Sequence, residues 1–146
     1  MPKKSTAEDA KIIMRLYDLR REPEMRKARA WFANFVPRSA DDVVQVINGV
    51  PPQENAWFRQ VSSYWDMAAS FVLHSALNEQ LFVDNSGEMF FVLGKVYPFL
   101  KEIREKTKNP YLQRAEKVAT GSKEARERLQ MMVKRAEARR AAVAKG

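Results

Sequence analysis

His74 is the only histidine in the chain, and by residue type it is the group best suited to exchange a proton near neutral pH. It falls in an apolar stretch, with Ser70 and Asn78 one helical turn away on either side. A metal would need further nitrogen or carboxylate ligands at i, i+3 or i+4, and Asp66 and Glu79 fall elsewhere on the helical wheel. General-base catalysis would need an orienting partner and a substrate pocket. The pattern therefore reads as a hydrogen-bonded structural histidine. Asp66 is the one acidic residue inside the apolar part of the same stretch. A carboxylate there is either a catalytic acid or base, or the partner of an arginine such as Arg59 or Arg104. With Tyr97 these residues make the candidate pocket set: Asp66, His74 and Tyr97. No H-E-x-x-H, E-x-x-H, G-x-S-x-G or glycine-rich phosphate loop occurs. No catalytic, cofactor-binding or metal-ligating residue is therefore assigned, and the reading points away from an enzyme.

The other available chemistry is anion contact. Residues 1–100 carry 12 basic and 12 acidic side chains, whereas residues 101–146 carry 14 and 6, so the net charge of +8 belongs to one end. Arg126, Arg128, Lys134, Arg135, Arg139 and Arg140 are the candidates for phosphate contact. Against this, Glu124, Glu127 and Glu137 are interleaved with them, and Glu124 with Arg128 is a favourable helical pair. No aromatic residue for base stacking occurs within residues 112–146. A solvated or protein-docking helix is favoured over a nucleic-acid arm.

These side chains must be positioned by helices. A chain of 146 residues fits one domain and buries about 68–70% of its unfolded surface. The absence of cysteine excludes disulfides and thiolate metal sites, and matches a cytoplasmic setting. The start, MPKKSTAEDAKII, lacks the apolar run of a signal peptide. The longest uncharged stretches fall short of the roughly 18–20 residues of a membrane span. Ser5 with Glu8 predicts a capping box opening a helix over 6–21. Pro23 opens a second helix that Pro37 stops. Ser39, Asp41 and Asp42 open a third, in which VVQVI is helical despite its β-branched residues. Gln53 to Leu81 reads as one long central helix with Phe58, Val61, Trp65, Ala68, Val72 and Ala76 in a row. After the turn Asp84-Asn85-Ser86-Gly87, a helix over 87–106 is expected to kink at Pro98, with Gly94 leaving room for a neighbour. Asn109-Pro110 opens a short helix ending near Gly121, and Ser122 caps the last one, with Ala125, Leu129, Met132, Ala136 and Val143 on one face.

Three runs, LYDLRREPEMRKARAWF (16–32), WFRQVSSYWDMAASFVLHSALNEQLF (57–82) and GEMFFVLGKVYPFLKEIREKTKNPYLQRAEKVA (87–119), resemble an uncharacterised bacterial all-helical domain family, a domain of unknown function. The likeness covers about residues 10–120. It rests on Arg26-Lys27-Ala28-Arg29, on the central apolar helix, and on Tyr97-Pro98 with Arg104. The chain departs from the family pattern in carrying His74, where an acidic residue is prominent in the central helix. The resemblance implies a helical fold and supplies no activity.

The expected architecture is all-α: a bundle of four to five main helices plus short ones over residues 1–121, centred on a hairpin of the two long apolar helices. A basic C-terminal helix or tail follows over 122–146. The expected role is a non-enzymatic, cytoplasmic, self-associating or protein-interaction domain, a homodimer because the apolar groups outnumber what a thin bundle hides. The alternatives are nucleic-acid or anionic-surface binding through the last helix, and a small-ligand or active site near His74.

Overall fold

The computed structural model describes residues 3–146. Met1 and Pro2, which begin the segment read above for a signal sequence, lie outside the described residues. Among the described residues there is no strand, and no helix is long and apolar enough to cross a membrane.

Helix α1 (Ala7–Arg20) is opened by Thr6, whose hydroxyl accepts from the Asp9 amide while the Asp9 carboxylate accepts from the Thr6 amide at 2.7 Å. The box expected on Ser5 and Glu8 is therefore shifted by one residue. Asp9 wins because it also receives the Asn78 amide at 3.0 Å, tying the helix start to a distant loop, while Glu8 pairs with Lys11. Helix α2 (Pro23–Asn34) starts at its proline as expected, and α3 (Ala40–Ile47) is capped by Ser39. The valine-rich body of α3 is helical because it is bracketed by that cap and by Gly49, whose φ of 91° ends the helix.

The middle of the chain differs most from its sequence reading. The single helix expected over 53–81 is two: α4 (Pro52–Leu73) and α5 (Glu79–Asp84). The chain turns at Ser75, with φ 60°, and Asn78 recaps it by accepting from the Leu81 amide at 2.9 Å. An asparagine side chain that satisfies a free amide competes with helix continuation. The turn also seats Leu77 and Phe82 in the core. With α5 interposed, the expected hairpin centre opens. Helix α4 packs chiefly on α2, while α6 (Gly87–Val96) packs chiefly on the last helix.

The single helix expected over 87–106 with a kink at Pro98 is instead divided there. After α6 comes a 3₁₀ turn, Tyr97–Phe99, and then α7 (Leu100–Thr107). Helix α8 (Gln113–Ala119) starts later than Asn109-Pro110 indicated, because burial of Tyr111 and Leu112 holds the preceding residues in a turn. Helix α9 (Lys123–Lys145) begins on Ser122 and runs across α6. A Cβ built on Gly94 would lie 2.8 Å from the Met132 Cβ, so α9 is the neighbour that needs this glycine. Ala125, Leu129 and Val133 of α9 join the same core as Phe32, Phe58, Trp65, Phe82 and Phe90. Val143, expected on the inner stripe, is instead exposed.

Candidate functional site

Four polar residues, Arg59, Ser62, Ser63 and Asp66, recur at i, i+3, i+4 and i+7 along α4 and so share one face of the helix. Opposite them runs the loop from α7 to α8. Between the two lies a half-open cleft of about 400 Å³, with Ile47, Phe58, Pro110 and Leu112 as its apolar lining.

Ser62 Oγ and Tyr111 Oη lie 3.0 Å apart, at 6% and 7% exposure. The Tyr111 ring stacks on Phe58 with centroids 5.2 Å apart. Burial holds the Tyr111 phenol well above its ordinary value, so it stays protonated. Two hydroxyls bring two protons, and one suffices for the bond between them. The other is a spare donor in the cleft wall.

Asp66 lies beside this pair. Its Oδ1 accepts from the Arg114 and Ala115 amides at 3.0 Å each, and its Oδ2 pairs with Arg114 Nη1 at 3.1 Å. Residue 112 is a leucine at φ 54° with no capping side chain, so a carboxylate from α4 caps α8 from outside. Arg59 stands at the rim. Its Nε donates to Asn55 Oδ1 at 2.9 Å, and Asn55 is itself held by the Val46 and Ile47 carbonyls at 2.8 and 3.1 Å. Among the described residues no carboxylate lies within ion-pair distance of Arg59. The loop wall is braced by Arg104, which donates to the Tyr111 carbonyl at 2.9 Å and pairs with Glu116 at 2.8 Å. Two non-glycine residues in this loop, Lys108 and Leu112, have φ of 55° and 54°, conformations that cost energy for L side chains.

The structure does not bring the sequence-derived pocket set together. Asp66 lines the cleft, but its partner is Arg114, not Arg59 or Arg104. His74 ends α4 and is exposed, with no hydrogen bond from its ring among the described residues. The structural role expected for it fails because the helix stops there and does not carry it into the core. Tyr97 sits in the 3₁₀ turn, half-buried, and does not line the cleft. The signal missed in the sequence was the polar stripe 59, 62, 63, 66. Ser62 and Tyr111 are too far apart in the chain for spacing to pair them.

The anion-contact candidates serve mainly to dock α9. Arg126 donates to the Thr120 carbonyl, Arg128 to that of Val83, Arg139 to that of Ala33, and Arg140 to that of Lys95. Arg128 and Arg140 also lie over the Phe90 and Phe99 rings. Lys134 and Arg135 remain exposed. Beside Arg139 and Arg140, Lys95, 4% exposed, donates to the carbonyls of Phe32, Ala33 and Phe35 at 2.6, 2.9 and 2.7 Å. Among the described residues no group of three or more His, Cys, Asp or Glu is placed to hold a metal ion.

Among the residues that carry the family likeness, Arg29 and Arg104 are braces. Arg29 pairs with Glu88 at 2.7 Å, and the other Glu88 oxygen accepts from Trp65 Nε1 at 3.0 Å, joining α2, α4 and α6. Residues 5–122 match a family described as a domain of unknown function (DUF4760). No curated protein and no solved structure matches the chain.

Proposed function

Since this chain belongs to the DUF4760 family, a domain of unknown function from which no activity follows, we propose that it is a non-catalytic binding domain that takes a small molecule in the cleft between α4 and the α7–α8 loop. The observation that carries this is the buried Ser62–Tyr111 hydroxyl pair, with its spare donor, in a cleft whose lining combines the apolar Ile47, Phe58, Pro110 and Leu112 with Arg59, Asp66 and Arg114. A volume of about 400 Å³ falls within the roughly 300–1,000 Å³ of ligand pockets, which combine apolar walls with few fixed polar groups. Binding is favoured over turnover because the cleft carries no free base. The Asp66 oxygens already accept three N–H donors, and the phenol stays protonated. A fragment screen followed by amide NMR tests this. Saturable shifts confined to Ser62, Tyr111 and Arg59 are expected, and a screen that never moves those resonances removes the reading.

Self-association, expected from the sequence, keeps one observation in its favour. The outer face of α9 exposes Met131 at 51% along a shallow groove with Glu127, Gln130 and Lys134. Two copies of α9 crossing antiparallel near Met131 would set Glu127 of each against Lys134 of the other. Light scattering during size-exclusion chromatography decides it, and a monomer at tens of micromolar ends it. Nucleic-acid binding has less support, since four of the six candidate cations are already donating to backbone carbonyls.

A further inference from the structure

We infer that the ligand of the cleft is a small organic carboxylate with an apolar body, a reading that rests on the cleft being a binding site. Among the charged groups lining it, Arg114 is matched by Asp66, and Arg59 is left over. Arg59 is also fixed in place. Asn55 holds its Nε, two α3 carbonyls hold Asn55, and the terminal guanidinium nitrogens make no hydrogen bond among the described residues. A guanidinium presents a planar fork that matches a carboxylate with two parallel hydrogen bonds. The spare proton of the Ser62–Tyr111 pair is a second donor. The free polar groups at both places thus seek acceptors. Beside them Ile47 and Pro110 offer apolar surface to the cleft, with the buried Phe58, Tyr111 and Leu112 behind, a lining suited to a small apolar body.

The same geometry selects carboxylate over phosphate. Phosphate sites use a cradle of free backbone amides, commonly at a helix start. Here the amides of Arg114 and Ala115 at the start of α8 are already occupied by Asp66. One unpaired arginine and one hydroxyl donor suit two acceptor oxygens in a plane better than a tetrahedral dianion.

The test is a titration followed by amide NMR with benzoate, benzamide and inorganic phosphate, on the full chain and on Arg59→Gln. Arg59 is exposed, so its variant keeps the fold, which circular dichroism checks. Benzoate is expected to give saturable shifts at Arg59, Ser62 and Tyr111. Its neutral isostere benzamide should bind about tenfold more weakly or worse, the scale of one charged hydrogen bond. Arg59→Gln should weaken benzoate about tenfold or more and so remove that preference. Equal binding of benzoate and benzamide would overturn the carboxylate and leave the cleft as a binding site. Phosphate binding more tightly than benzoate would overturn it likewise. Shifts at Lys134 and Arg135 alone would reduce the effect to surface charge and overturn it too. If the cleft resonances also stay still across the fragment screen, the binding-domain reading falls with it.

Discussion

Lys95 shows how one side chain is caught between opposing forces. Three carbonyls of the α2 end match the three N–H donors of an ammonium, while burial, and then Arg139, push its pKa from 10.5 down to about 7. The folded chain then releases its proton near pH 7, and the unfolded chain keeps it to about 10.5. Between those values the unfolded state binds more protons, so stability rises with pH across that window; below it both states are charged and this gain is absent. Urea unfolding from pH 6 to 10 should show wild-type stability climbing relative to Lys95→Met. A flat difference would mean that the carbonyls hold the amine charged throughout. Asp66 makes a second residue-scale prediction. Asp66→Ala removes the cap of α8 and should cost about 1 kcal/mol, in the range of a lost N-cap, measured by chemical denaturation. Tyr111→Phe should cost about as much through the lost buried hydrogen bond to Ser62. The role of Asp66 was half legible in the chain. A lone carboxylate in an apolar helix announces a partner, but two of its three donors are backbone amides, which every residue carries and no sequence pattern marks.

At the scale of elements, the contact between α6 and α9 is decided at Gly94. Met132 approaches so closely that even the backbone of α9 leaves no space for a methyl group, with its carbonyl carbon 2.9 Å from a Cβ built on residue 94. Gly94→Ala should therefore cost about 1–3 kcal/mol by overpacking, and shortening Met132 should not restore it. Thermal melts of the single and double variants check this. Full rescue by Met132→Ala would place the clash in the side chain alone. The kink at Pro98 and the glycine beside it could be foreseen because a missing N–H and a missing Cβ are local facts. The break between α4 and α5 could not. Asn78 is tolerated inside helices, and it becomes a cap here because Asp9 of α1 takes its amide while its side chain serves Leu81. Asn78→Ala should cost about 1 kcal/mol, with hydrogen exchange rising over Glu79–Asp84 and not over α4.

At the scale of the molecule, the basic end is part of the fold. Leu129 is fully buried, and four arginines fasten α9 to carbonyls of the bundle and of the turn before it. Leu129→Ala should lower stability by about 2–5 kcal/mol. Truncation after Gly121 should abolish cooperative unfolding, because it uncovers the face of α6 that carries Phe90. Loss of nucleic-acid binding on truncation would therefore say little about contacts. Charge reversal of the exposed Lys134 and Arg135 is the cleaner probe, read as a change in salt dependence. The aromatic surplus that argued for dimerisation is largely absorbed within one copy, where Phe32, Phe58, Trp65, Phe82 and Phe90 share a core. Met131, exposed on the outer face of α9, is what remains for a pairing of two copies to cover.

By itself the chain determined its class: helices, the starts at Pro23, Ser39 and Ser122, the proline kink, the buried rings, and the absence of known catalytic spacing. These follow from periodicity and from single-residue geometry, which act over a few neighbours. Only the tertiary structure decided where α4 ends, which helix fills the space at Gly94, and that Ser62, Asp66 and Tyr111 meet in a cleft that leaves His74 and Tyr97 outside. Those outcomes depend on contacts between residues far apart in the chain, where burial and backbone donors select the partner, and neither leaves a local trace.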